Sequence, residues 1–154
     1  MGGIIIPSET DLNPEGFLIR QVIMPKKGHV TKWSLGVLRA FSRFDFSIGP
    51  ILNLVDLVTG YRYQELPAHV DFLVGVEMPS NTKILKIHQL VTPCLQSKKS
   101  PEWIIGRVKG LMDGVEGAFN SCLVTDIQSD KMHKVNIRDI DLLIRRESSF
   151  SLEV

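Results

Sequence analysis

The sequence predicts an α+β fold, a single compact domain in which two helices pack on an antiparallel sheet of hairpins. Three observations lead there. Apolar residues recur at helical spacing between Thr31 and Arg43, a second apolar run spans Ile48–Gly60 with Pro50 near its start, and branched apolar runs flank Pro79-Ser80-Asn81-Thr82. With 154 residues, 44% of them hydrophobic and 23% charged, the chain has material for about one domain with its own core.

Taken in order, residues 7–16, PSETDLNPEG, lack any apolar period, so residues 1–16 read as a flexible N-terminal arm. Phe17–Met24 reads as a strand, ended by Pro25 and the Lys26-Lys27-Gly28 turn. Thr31 is placed to cap a helix running to about Arg43, with Trp33, Val37, Leu38, Phe41 and Phe44 on one side and Lys32, Arg39 and Arg43 on the other. Ser47-Ile48-Gly49-Pro50 opens a second helix, buried through Ile51, Leu54, Val55, Leu57 and Val58 and closed by Gly60 as its left-handed C-terminal residue.

Val70–Met78 and Lys83–Val91 pair most simply as a hairpin, and Pro93–Pro101 is a loop. Over residues 102–120, Ile104, Val108, Leu111, Val115 and Phe119 fit a helical stripe. Gly106, Gly110, Gly114 and Gly117 would each cost such a helix about 1 kcal/mol, which favours strands turning at Asp113-Gly114. Leu123–Ile127 and Met132–Ile137 continue the pairing around Ser129-Asp130-Lys131, and Asp139–Arg146 is a short helix or an edge strand. The globular core is thus expected over 17–147, with a tail at 148–154.

The chemistry-bearing residues are sparse. The four histidines, His29, His69, His88 and His133, show none of the short spacings of zinc ligands, and the Gly-rich phosphate loops, nucleophile elbow and zincin motif are all lacking. No metal, cofactor or small-molecule substrate is expected. His69 and Asp71 would share a strand face as a general base and its orienting carboxylate; with His133 they are the residues an enzyme would use. Without a nucleophile at recognisable spacing, the pair reads as ordinary strand-end polarity, and the protein as non-enzymatic.

Cys94 and Cys122 do not make a disulfide framework and read as buried thiols of a reducing compartment. No apolar run reaches the roughly 18 residues that cross a bilayer, and Pro7 cuts short the apolar start, so an intracellular protein is expected. Gly2 suits acylation, but Ile6 stands where the acceptor pattern has Ser or Thr.

Net charge is only +1, so attraction to an anionic partner must come from clustering. Lys26, Lys27, His29, Lys32, Arg39 and Arg43 form such a cluster, which Lys98, Lys99, Arg145 and Arg146 would extend. As a solvated face it needs no partner; as a phosphate-binding patch it would bind nucleic acid or anionic lipid in a salt-dependent way. Trp33, Phe41, Phe44 and Phe46 read as core rather than as a base-stacking platform. Tyr63-Gln64-Glu65-Leu66 matches a YxxL recognition pattern through Tyr63 and Leu66.

The segment FLIRQVIMPKKGHVTKWSLGVLRAFSRF, with the apolar run Ile48–Gly60 and the β-rich Val70–Val91 after it, resembles the opening of the globular core in rhabdovirus matrix proteins. The resemblance covers about residues 17–107 and lies in element order; the Lys-rich arm and the PPxY motif of that family are missing here. It implies a virion assembly protein that self-associates under the inner face of a host membrane and bridges it to the viral nucleocapsid, with Lys26, Lys27, Lys32, Arg39 and Arg43 facing the anions. The alternative is a small RNA-binding protein with a β-sheet or Sm-like surface, echoed in Phe119-Asn120 and Ile137-Arg138, although Asp139 stands where that pattern has Gly.

Overall fold

A computed structural model of the chain describes residues 4–13, 16–45, 49–77, 85–94, 102–113 and 119–148. Among them are ten strands and two 3-10 turns, with no α-helix, so the α+β expectation is overturned in favour of an all-β fold. The chain divides into two compact units, residues 1–74 with 145–154 and residues 75–144, where one core was expected.

The first unit contains β1 (Val22–Pro25), β2 (Gly36–Asp45), β3 (Gly49–Asp56), β4 (Arg62–Glu65), a 3-10 turn at Pro67–His69, and β5 (Val70–Val76) as far as Val74. β1 to β4 form an antiparallel meander, and β5 returns to pair with the free side of β1, with Ile23 opposite Phe72. The second unit contains β6 (Leu90–Pro93), β7 (Gly106–Asp113), β8 (Phe119–Asp126), β9 (Met132–Asn136), a 3-10 turn at Ile137–Asp139, and β10 (Ile140–Arg146) up to Ile144, the last two residues of that strand belonging to the first unit. Its pairing follows the same plan, β6 to β9 in a meander and β10 returning to β6.

Both expected helices are strands. The first is β2, and its pattern imitates a helix because a β-bulge between Leu38 and Ala40 breaks the period of two. With Arg39 and Ala40 both exposed at the bulge, Leu38 and Phe41, opposite Leu54 and Leu52, fall three apart on one face, which is a helical spacing. The second became β3, with Pro50 opposite Arg43 near the strand start and Leu52 and Leu54 buried. Gly60 is left-handed as expected, at φ +77°, but it closes the turn between β3 and β4.

Among the described residues, the expected hairpin between Val70–Met78 and Lys83–Val91 does not form either. β5 pairs with β1, and Leu90 and Val91 pair with Arg107 and Gly106 of β7. Strands were the correct reading of residues 106–113 and 119–126, and Asp139–Arg146 resolves to a strand. Gly114 of the expected Asp113-Gly114 turn lies outside the described residues, as do most of the Pro93–Pro101 loop and the C-terminal tail beyond Ser148. The leading arm is partly tied down, since Ile5 bridges Gln21 in parallel and Glu9 pairs with Arg146.

The two units are copies of one another. Trp33 and Trp103, Gly36 and Gly106, Asp56 and Asp126, and Asp71 and Asp141 all stand 70 residues apart. The β-bulge recurs between Val108 and Gly110, and the two 3-10 turns keep the same interval. Equivalent backbone bonds recur as well: Leu57 donates to Leu35 and Ile127 to Ile105, while Lys26 donates to His69 and Cys94 to Asp139. Left-handed residues sit at matching places, Arg20 with His88 and Gly60 with Asp130. The interval is 68 residues across β1 and β6, where Gln21 matches Gln89 and Pro25 matches Pro93. The loop leading to the tryptophan is therefore two residues longer in the second unit.

In each copy a tryptophan ring lies over the first glycine of the following strand. A Cβ on Gly36 would come within 2.6 Å of Leu54 Cδ1 and 3.3 Å of the Trp33 ring, and one on Gly106 would overlap Val124 and touch Trp103. The W-x-x-G pattern is thus a packing rule written twice. The first core includes Val22, Ile23, Val37, Leu54 and Phe72, with the Phe17 and Phe72 rings 4.8 Å apart; the second gathers Val91, Trp103, Val108, Cys122, Val124 and Ile140.

Candidate functional site

Two side-chain constellations in the first unit carry chemistry beyond packing. One lies over the outer face of β2, β3 and β4. Cross-strand pairing sets Val55 opposite Arg62, and Asn53 opposite both Ala40 and Gln64. Gln64 Nε2 donates to Asn53 Oδ1 at 2.9 Å and Asn53 Nδ2 to Ser42 Oγ at 3.1 Å, a polar ladder across three strands. Arg39, placed outward by the bulge, and Arg62 are exposed beside this ladder. Arg39, Asn53, Arg62 and Gln64, with Ala40, Leu54, Val55 and Tyr63, border an open groove of about 870 Å³, and these residues include two guanidinium groups and no carboxylate.

The second constellation joins the loop after β1, the end of β4 and the 3-10 turn. His29 Nε2 lies 3.3 Å and His69 Nδ1 3.9 Å from Glu65 Oε2, and the two imidazoles stack with centroids 4.3 Å apart. Trp33 Nε1 donates to the other carboxylate oxygen, Glu65 Oε1, at 3.2 Å. One donor atom from each of His29, Glu65 and His69 lies within 4.8 Å of the others, so these three residues have the reach to hold a metal ion.

Several cations of the sequence-predicted patch are held elsewhere. Asp71, almost wholly buried, lies 3.9 Å from Lys26 Nζ and accepts from Arg145 Nη1 at 3.2 Å and from the Ser148 amide at 3.3 Å. Arg145 also donates to the Pro25 carbonyl, and Arg146 pairs with Glu9. His29 belongs to the Glu65 cluster. Among the described residues, Lys27, Lys32 and Arg39 are exposed and pair with no carboxylate. Arg43 lies on β2 opposite Pro50, its side chain outside the description, and Lys98 and Lys99 fall outside the described residues. The patch is therefore smaller than the sequence implies, and Arg62, absent from it, joins Arg39.

His69 and Asp71 do not work as a pair: His69 faces Glu65, while Asp71 is committed to Lys26, Arg145 and Ser148. His133 stacks on Trp103 at 6.3 Å in the other unit. Trp33 is core as expected, Phe41 is 45% exposed, and Phe46 lies outside the described residues. Tyr63 and Leu66 belong to β4 and the residue before the 3-10 turn, so the YxxL stretch is built into the sheet, with Tyr63 opposite Leu54.

Sequence reading missed Arg62 and Glu65. The alternation of β4, in which Arg62 and Gln64 are exposed while Tyr63 and Glu65 are half-buried, would have revealed one polar face. Glu65 and His69 are four apart, but no local pattern links either to His29. No protein family, curated protein or solved structure matches the chain.

Proposed function

We propose that the protein is a non-enzymatic binder of single-stranded RNA, which it holds on the outer face of β2, β3 and β4. The observation that carries this reading is the groove lined by Arg39, Arg62, Asn53 and Gln64 without any carboxylate. Guanidinium groups suit phosphate, side-chain amides suit base edges and 2′-hydroxyls, and an open sheet face accommodates an unpaired strand. The corresponding face of the second unit supports it. Lys109 occupies the position of Arg39 and Lys134 that of Gln64, both exposed, and Leu123, Thr125 and Met132 add no acid.

The matrix-type reading drew on an order of strand, helix and helix that the all-β fold replaces, so it keeps only the cationic character common to both readings. Fluorescence anisotropy with a labelled single-stranded RNA, set beside co-sedimentation with anionic vesicles, tests the proposal. Binding should weaken with salt, and replacing both Arg39 and Arg62 by Ala should lower the slope of log affinity against log salt by about 1.4, at roughly 0.7 per single-strand phosphate contact. Unchanged RNA binding in that variant, or binding to vesicles alone, would overturn it.

A further inference from the structure

We propose that His29, Glu65 and His69 form a binding site for a divalent transition-metal ion, suited to Zn2+, with solvent completing its coordination. The donor set is two imidazole nitrogens and one carboxylate oxygen, a combination that zinc accepts when a fourth position is left to water. The geometry is near what the ion needs. Tetrahedral ligands about 2.1 Å from zinc lie roughly 3.4 Å from one another. The two imidazole donors lie 3.3 Å and 3.9 Å from the Glu65 carboxylate and all three donors lie within 4.8 Å of one another, so only a small inward movement is required.

Three further features hold the ligands in place. Trp33 Nε1 occupies Glu65 Oε1 and leaves Oε2 turned toward both imidazoles, the kind of outer hydrogen bond that orients a metal-binding carboxylate. The backbone locks the two histidines to one another: the Lys26 amide donates to the His69 carbonyl at 2.8 Å and the His29 amide to the Lys26 carbonyl at 2.9 Å. Gly28, left-handed at φ +90°, closes the turn that carries His29 back over the 3-10 turn. Lys26, three residues before His29, is directed to Asp71.

Access and charge are also suitable. Side-chain exposures of 31% for His29 and 43% for His69 leave an entry path, while Glu65 at 14% supplies the anionic ligand from a partly sheltered position. Elsewhere the scaffold is duplicated, yet Val135 and Asp139 stand where the first unit has Glu65 and His69. The donor set is therefore particular to the first unit and is not required by the fold.

The test is calorimetric titration of the full chain, stripped with chelator, with Zn2+ alone, accompanied by the visible spectrum of the Co2+ form. One ion should bind per chain, raise the melting temperature, and bind more weakly in acid, because imidazole ligates only when deprotonated. His29→Ala, His69→Ala and Glu65→Gln should each weaken binding by about 100-fold or more, beyond what loss of an outer hydrogen bond does. His88→Gln and Cys94→Ser should leave it unchanged. Melting curves in chelator show whether each variant folds, and three folded ligand variants of unaltered affinity would overturn the site. So would absence of stoichiometric binding to the wild type, or binding lost in Cys94→Ser.

Discussion

Trp33 lies over Gly36 and donates its indole hydrogen to Glu65, while Trp103 lies over Gly106, has Val135 at the place of Glu65, and stacks on His133. The rings occupy equivalent places in two copies of one scaffold but have different neighbours. Several positions that face a core, close a turn or carry the tryptophan keep their character in both copies, because altering them costs packing. Positions on the sheet face and in the loop after the first strand differ, because nothing in the scaffold dictates them. Arg62 and Glu65 are of this second kind, with Met132 and Val135 in their places in the other copy.

The sharpest way to break this comparison is at the repeated glycines. Gly106→Ala should cost about 3 kcal/mol, near the upper end for overpacking, because its new methyl overlaps a branched valine beside the tryptophan ring. Gly36→Ala should cost less, about 1–2 kcal/mol, because the atom it meets first is the end of the Leu54 side chain, which can move. Denaturant unfolding of both variants measures the order; equal costs would contradict the packing difference.

Asp71 and Asp141 occupy matching strand positions with unlike burial, Asp71 being 1% exposed and Asp141 half-buried. Asp71→Asn should cost about 2 kcal/mol by weakening charge-assisted bonds to Arg145 and to the Ser148 amide, and Asp141→Asn clearly less. Chemical unfolding of the two variants separates them, and a larger loss at Asp141 would reverse the assignment.

Cys122 stands where the first unit has Leu52, and burial pushes its thiol up from 9.0 to about 11. The folded state therefore holds the proton while the unfolded thiol ionises. Stability contributed by this thiol is fully present below pH 9 and is lost as pH rises toward 11, by up to about 1.4 kcal/mol for each pH unit between the two values. Subtracting the unfolding free energy of Cys122→Val at each pH isolates this loss, and a flat difference would show that the thiol ionises alike in both states.

The smallest effects belong to the turns. Asp56 accepts from the Val58 amide and the Thr59 hydroxyl, and Asp126 from the Gln128 amide and the Ser129 hydroxyl. Replacing either by Ala should cost about 1 kcal/mol, and the two costs should agree to within about 0.5 kcal/mol if the turns are true equivalents. Thermal or urea unfolding checks this, with a wide disparity counting against the equivalence.

Much of the second unit could be read directly. The glycines at 106 and 110 and the turn at Ser129-Asp130-Lys131 both oppose a helix, and the strands lie where those signals put them. The first unit misled because the bulge in its long strand sets Leu38 and Phe41 three apart on one face, and because Pro50 and Gly60 suit a helix as well as they suit a strand start and a tight turn. Setting Trp33-Ser34-Leu35-Gly36 against Trp103-Ile104-Ile105-Gly106 would have resolved the conflict, since one scaffold cannot be helical in one copy and stranded in the other. The cation cluster misled for another reason: Lys26 and Arg145 are charged in any reading, but their carboxylate partner is remote in sequence.

By itself the sequence determined what depends on a few adjacent residues: the left-handed turn at Gly60, the strands around Gly106, the small net charge, and the want of any nucleotide or nucleophile motif. Tertiary structure alone decided that residues 36–45 and 49–56 are strands, that Asp71 holds Lys26 and Arg145, that Arg62 joins Arg39, and that His29 meets Glu65 and His69. The reason is range. Propensity and periodicity act within one turn of chain, whereas strand pairing, burial of a charge and convergence of ligands depend on segments tens of residues apart, joined only when the sheet closes.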